Sequence, residues 1–161
     1  MSQTPTVLYV EDEADDVFFM RQAFKRAGLA EEFRSVDDGR KAIAYLDGLT
    51  PYDDRSTAPL PALVLLDLNL PIYSGFEVLQ WLRQQPQYRD LTVVTFSSSG
   101  RDEDRERARQ LGATDYLLKP SSGLQFVEIV KLLKERWLKN SAPPPPPGPA
   151  GLSNDTLQGA N

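Results

Sequence analysis

The stretch Leu63-Val64-Leu65-Leu66-Asp67-Leu68-Asn69-Leu70-Pro71 decides how the rest of the chain is read. Four consecutive aliphatic residues, Leu63 to Leu66, describe a strand buried on both faces, the pattern of a central parallel strand. Such a run tolerates a carboxylate only at its C-terminal edge, which is where open parallel sheets bind ligands. Pro71 and Gly75 then close the strand and turn the chain toward a helix. Taken alone, Asp67 has two open readings: a loop-forming or helix-capping aspartate, or a carboxylate placed for chemistry.

Upstream, Thr6–Val10 is a β-rich run that ends in Glu11-Asp12-Glu13. Asp15 or Asp16 is expected to cap a helix carrying Val17, Met20, Phe24 and Ala27 at helical spacing, with Gly28 as its stop. Phe33–Val36 reads as a second strand, Asp37-Asp38-Gly39 as a turn, and Ala42, Ile43 and Leu46 as one face of a second helix. Residues 48–61 hold Pro51, Pro59 and Pro61 with little hydrophobic content, and are expected to form a surface insertion.

Downstream, residues 76–85 place Phe76, Leu79 and Leu82 on one helical face, and Pro86 ends that helix. Leu91–Phe96 is the fourth strand and runs into Ser97-Ser98-Ser99-Gly100. Residues 102–111 are almost all charged, with only Ala108 and Leu111 apolar, so that helix is predicted to bury little. Tyr116–Lys119 is a fifth strand ending in a lysine, and residues 124–138 form a last helix carrying Phe126, Ile129, Val130, Leu133 and Trp137. Strands alternating with helices imply an α/β fold, a doubly wound five-stranded parallel sheet with helices on both faces. The domain is expected to span residues 1–140. Residues 141–161 open with Ser141, Ala142 and Pro143–Pro147 and are predicted to be a disordered, Pro-rich tail, dispensable for folding.

Composition removes whole classes of function. The 161 residues contain no cysteine and no histidine, which excludes thiol nucleophiles, imidazole bases, catalytic triads and His- or Cys-ligated zinc. A net charge of −5 gives no electrostatic support for nucleic acid. No stretch approaches the roughly 20 apolar residues of a membrane span, and the polar start is no signal peptide, so the expectation is a soluble, cytoplasmic protein.

Four strands end in chemically pointed residues: the acids Glu11-Asp12, the acid Asp67, the hydroxyl of Ser97 and the ammonium of Lys119. Singly, each has a bland reading as a cap, a loop residue or a solvated charge. In a parallel sheet all four ends lie on one edge, so together they describe a pocket. Carboxylates without histidine or cysteine suit a hard, oxygen-seeking cation, most plainly Mg²⁺. A metal, a carboxylate, a hydroxyl and a lysine together suit a phosphoryl group, with the carboxylate as nucleophile.

Over about residues 6–138 these features resemble the receiver domains of two-component response regulators. Asp67 is followed 30 residues later by Ser97 and 52 residues later by Lys119, spacings similar to that family's. The resemblance implies a (βα)5, flavodoxin-like receiver fold with strand order 2-1-3-4-5. It implies Asp67 as phosphoacceptor, Lys119 and Ser97 as its partners in the reaction, and Mg²⁺ held by Glu11, Asp12, Asp67 and the Asn69 backbone carbonyl. Ser97 and Tyr116 match the family's switch positions. The phosphoryl donor would be a phosphohistidine on a sensor histidine kinase, and output would pass to a downstream protein by binding or by phosphotransfer in a phosphorelay. Val10–Asp16, Val36–Gly39 and Trp137-Leu138 look similar to the stand-alone regulators paired with bacterial phytochrome kinases. Departures from the commoner pattern are Glu at position 11, Ser at position 97 and the long 48–61 insertion.

Three rivals remain in view. A haloacid dehalogenase-type phosphatase needs an aspartate two residues beyond its nucleophile, where this chain has Asn69, which cannot serve as its general acid. A nucleotide-binding module needs a Gly-rich loop after Val10, where this chain has acids. A receiver that has lost phosphorylation would lack part of a residue set that is complete here. Val127, Trp137 and Leu138 exceed one core-facing stripe and point to a homodimer.

Overall fold

The computed structural model describes residues 5–138. The expected tail, residues 141–161, lies outside the described residues. Five strands, β1 (Val7–Val10), β2 (Phe33–Val36), β3 (Leu63–Leu66), β4 (Thr92–Ser97) and β5 (Asp115–Leu118), form one sheet. Its order is β2-β1-β3-β4-β5 and every pairing is parallel, as the resemblance implied. The intervening helices are α1 (Ala14–Arg26), α2 (Gly39–Asp47), α3 (Gly75–Gln84), α4 (Asp102–Gln110) and α5 (Phe126–Leu133).

Strand residues alternate between the two faces, and each face has its own core. Leu8, Val10, Val64, Leu66 and Val93 pack against α2 and α3 through Ala42, Leu46, Val78, Leu79 and Leu82. Val7, Tyr9, Leu63, Leu65, Val94 and Phe96 pack against α1 and α5 through Met20, Phe24, Phe126, Val130 and Leu133. Full burial of side chains such as these is worth about 1.5–3 kcal/mol each, so the two cores hold the strands in register. In α4 only Ala108 is buried, matching its almost wholly charged sequence.

The expectations differ from the structure in three places, and one expected element is better anchored than its sequence suggests. Neither Asp15 nor Asp16 caps α1; Glu13 is the N-cap residue and makes no side-chain cap, leaving both aspartates in the first turn. Residues 48–61 form the expected surface insertion, with only Ala58 and Pro61 buried, and they are clamped in place. The Arg55 guanidinium donates to the carbonyls of Tyr45, Leu46 and Ala58 at 2.8, 2.9 and 3.1 Å, and Ala58 is buried. One fork thus ties the insertion to the C-terminal carbonyls of α2. The last helix is not uniform: a 3₁₀ turn at Gly123–Gln125 leads into α5, and a π turn at Lys134–Leu138 ends it. That wider last turn swings Leu138 into the core, so Leu138 does not add to an interface.

Candidate functional site

The sheet edge carries its chemistry because backbone pairing continues one step past each strand. Val10 pairs with Leu66, and the Asp67 amide donates to the Val10 carbonyl at 3.1 Å, which sets Glu11 beside Asp67. The Lys119 amide donates to the Ser97 carbonyl at 2.8 Å, fixing the lysine backbone beside Ser97. Ser74 caps α3 in a reciprocal capping box with Glu77, and the Gly75 amide donates to the Leu68 carbonyl at 2.9 Å. The loop that carries Asp67 is thereby held at both ends.

Glu11, Asp12 and Asp67 each offer a carboxylate oxygen, and these oxygens lie within 4.8 Å of one another. Glu11 and Asp67 are buried, whereas Asp12 is exposed. The Lys119 ammonium enters this group: it contacts Glu11 Oε1 and lies 2.9 Å from Asp16 Oδ2 and 3.3 Å from Asp67 Oδ2. The Tyr9 hydroxyl donates to Glu11 Oε1 at 3.0 Å, and the Glu13 amide donates to Glu11 Oε2 at 3.2 Å. The Asn69 amide faces Asp67 Oδ1 at 3.4 Å, and the Asn69 side chain is exposed.

This packing reshapes the ionisation of the site. Burial pushes the Glu11 carboxyl up to about 7, with the hydrogen bond from Lys119 opposing the rise and the charge of Asp67 adding to it. Burial alone would lower Lys119, but Glu11, Asp67 and Asp16 outweigh it and hold the ammonium above its ordinary value. Burial, reinforced by Glu11, raises Tyr9 and keeps it a hydrogen-bond donor.

Ser97 is fully buried, and its Oγ accepts from the Ser99 amide at 3.1 Å. Ser99 in turn joins two elements: its Oγ donates to Asp104 Oδ2 of α4 at 2.5 Å, and its carbonyl accepts from the Tyr116 hydroxyl at 2.8 Å. The Arg105 guanidinium lies 4.7 Å from the Tyr116 ring centroid. Ser97, Tyr116 and α4 therefore meet through one short loop.

Glu11, Asp12, Asp67 and Lys119 converge as the sequence predicted, with Ser97 and Tyr116 alongside. Two participants were missed. Asp16 was read as a helix cap and is instead a partner of Lys119. Tyr9 was read only as part of the β-rich run Thr6–Val10; its place two residues before Glu11, on the same sheet face, was the available signal. An all-oxygen set of three carboxylates fits a hard divalent cation and offers nothing to a soft one.

The response regulator receiver domain family matches residues 7–131. The chain belongs to that family, a family of signalling domains whose general function is phosphorylation on an aspartate. It is 35% identical to the probable methanogenesis regulatory protein FilR2 of Methanothrix harundinacea over 87% of this chain and 88% of that one. It is 30% identical to response regulator Rcp1 of Synechocystis over 83% of this chain and 88% of that one. The Mn²⁺-bound form of Rcp1 superposes with a TM-score of 0.72 at 28% identity, covering 88% of this chain and all of that one. The phosphorylated cyanobacterial phytochrome response regulator RcpA superposes with a TM-score of 0.79 at 31% identity, covering 89% of this chain and 100% of that chain. Among the described residues no helix is long and apolar enough to cross a membrane.

Proposed function

We propose that this receiver accepts its phosphoryl group on Asp67 from a phosphohistidine of a sensor histidine kinase, with Mg²⁺ as its cation. The observation that carries the reading is the convergence of Glu11, Asp12, Asp67 and the Lys119 ammonium on one sheet edge. Glu11, Asp12 and Asp67, with the Asn69 carbonyl, would hold the cation, which when bound neutralises charge on the phosphoryl oxygens. An Asp67 carboxylate oxygen attacks phosphorus, the P–N bond to the donor imidazole breaks, and its electron pair returns to the ring nitrogen. Lys119, 3.3 Å from Asp67, provides a counter-charge for the transferred group. Ser97 donates its hydroxyl to a phosphoryl oxygen, which draws on the Ser99 loop and, through the Tyr116 bond, on α4.

The protein is on this reading a phosphoacceptor that assists its own phosphorylation and dephosphorylation rather than an enzyme acting on a metabolite. It works in the cytoplasm, and its output is binding of a protein partner or onward phosphotransfer. The likeness to RcpA supports a phytochrome-type kinase as donor. Self-association on the α5 side is supported by half-buried Val127 and Trp137 and by Leu124, which is 73% exposed.

Incubation with Mg²⁺ and acetyl phosphate should give one acid-stable, hydroxylamine-labile adduct, absent in Asp67→Asn. Undiminished labelling of that variant would overturn the assignment. Comparing a phytochrome kinase with an unrelated histidine kinase as donors tests the narrower partner, and the mass in solution with and without phosphorylation tests self-association.

A further inference from the structure

Lys119 has three carboxylate partners, and they are not equivalent. Glu11 and Asp67 belong to the trio whose oxygens lie within 4.8 Å of one another, whereas Asp16 stands outside it. Two of the lysine's partners are therefore the groups a divalent cation requires. The ammonium and the cation draw on the same two carboxylates, and they repel each other at short range in a site where the Lys119 side chain is only 10% exposed.

Asp16 is placed to resolve that competition. It sits in the first turn of α1, so its backbone is fixed, and its Oδ2 is 2.9 Å from the ammonium. Its side chain is 27% exposed, so it keeps contact with water while Glu11, fully buried, does not. A lysine stem is flexible and its three donors can be shared. It can give up Glu11 and Asp67 while one hydrogen bond keeps it in the site.

We propose that Asp16 is a positioning residue for Lys119, holding the ammonium at the site when a divalent cation takes Glu11 and Asp67. The inference rests on the reading of Glu11, Asp12 and Asp67 as the metal site. Without Asp16 the ammonium has only Glu11 and Asp67 left as partners. A cation must then share both carboxylates with it.

The test is a double-mutant cycle read by calorimetric titration of the full chain with Mg²⁺ and with Mn²⁺, without phosphodonor. Asp16→Asn should weaken binding roughly tenfold, within the range for residues that share one network. Asp15→Asn removes the same charge from the same turn away from the lysine, and should leave binding within about twofold, as expected of a screened exposed charge. Lys119→Met removes the competitor and should tighten binding. Adding Asp16→Asn to Lys119→Met should then change affinity no more than Asp15→Asn does, and Asp16→Ser repeats the comparison with a second side chain. Equal weakening by Asp16→Asn with and without Lys119 would mean that Asp16 acts by charge alone, and would overturn the proposal, as would wild-type affinity in Asp16→Asn. A wild-type chain that binds neither cation would instead overturn the metal reading, and this proposal with it.

Discussion

The Tyr116 hydroxyl donates a 2.8 Å hydrogen bond to the carbonyl of Ser99, whose amide donates to the hydroxyl of Ser97 at 3.1 Å. A strand residue and the buried hydroxyl at the site edge are thus joined through a single loop residue. That residue also grips α4 through Asp104. Because α4 buries only Ala108, its placement depends on this loop more than on packing. Tyr116→Phe should cost ~1 kcal/mol and raise amide exchange at the start of α4. Ser97→Ala should uncouple that exchange from a phosphoryl mimic bound at Asp67. An equal response to the mimic in wild type and Ser97→Ala would show that Ser97 does not carry the signal.

Gly75 offers a second handle on Asp67. A Cβ there would lie 2.1 Å from the Asp67 carbonyl oxygen and 2.7 Å from the Leu68 Cα, both backbone atoms that cannot swing aside. Gly75→Ala should therefore displace the acceptor loop, lowering stability by about 1–3 kcal/mol in urea unfolding and slowing labelling with acetyl phosphate. Wild-type values in both measurements would contradict the close approach.

The buried Glu11 carboxyl makes stability depend on pH. Its value is about 7 in the fold, against an ordinary value of 4.5, so between those limits the folded chain holds a proton that the unfolded chain has lost. This contribution is complete below about pH 4.5 and disappears as pH rises through 7. With divalent metal chelated, Glu11→Gln removes the titration. The variant should gain on wild type by ~3 kcal/mol as pH rises across that window. Parallel stability curves for the two proteins would rule out the raised carboxyl.

Arg55 should matter far more than an exposed loop arginine. Arg55→Ala leaves the carbonyls of Tyr45 and Ala58 without their guanidinium donor, while the Leu46 carbonyl keeps its 2.6 Å bond from the Tyr88 hydroxyl. A loss of about 2–3 kcal/mol in denaturant is expected, and Arg55→Lys should recover little because an ammonium cannot span the fork. A change below about 0.5 kcal/mol, the usual size for a surface substitution, would mean that the insertion is not clamped.

The strand ends were legible in the sequence because their causes are local. The aliphatic run Leu63–Leu66 reads as a buried parallel strand, and Thr6–Val10 as a β-rich one, without reference to anything distant. Parallel topology then sends Glu11, Asp12, Asp67, Ser97 and Lys119 to one edge whatever the helices do. What the lysine does once there was not legible. Its choice of Glu11, Asp16 and Asp67 depends on the angle at which α1 leaves the edge, which packing of Met20 and Phe24 against the sheet sets. Arg55 and Leu138 follow the same rule. Prolines and scarce hydrophobic content marked residues 48–61 as a surface insertion but gave no sign of its anchor, and helical periodicity put Leu138 off the core stripe. A guanidinium meeting carbonyls nine and ten residues away supplies that anchor and a single π turn turns Leu138 inward, and neither leaves a periodic trace in the chain. Sequence by itself determined which groups reach the edge, because strand burial and strand direction are properties of short segments. Tertiary structure alone decided which of those groups touch, because contact depends on how separate segments pack.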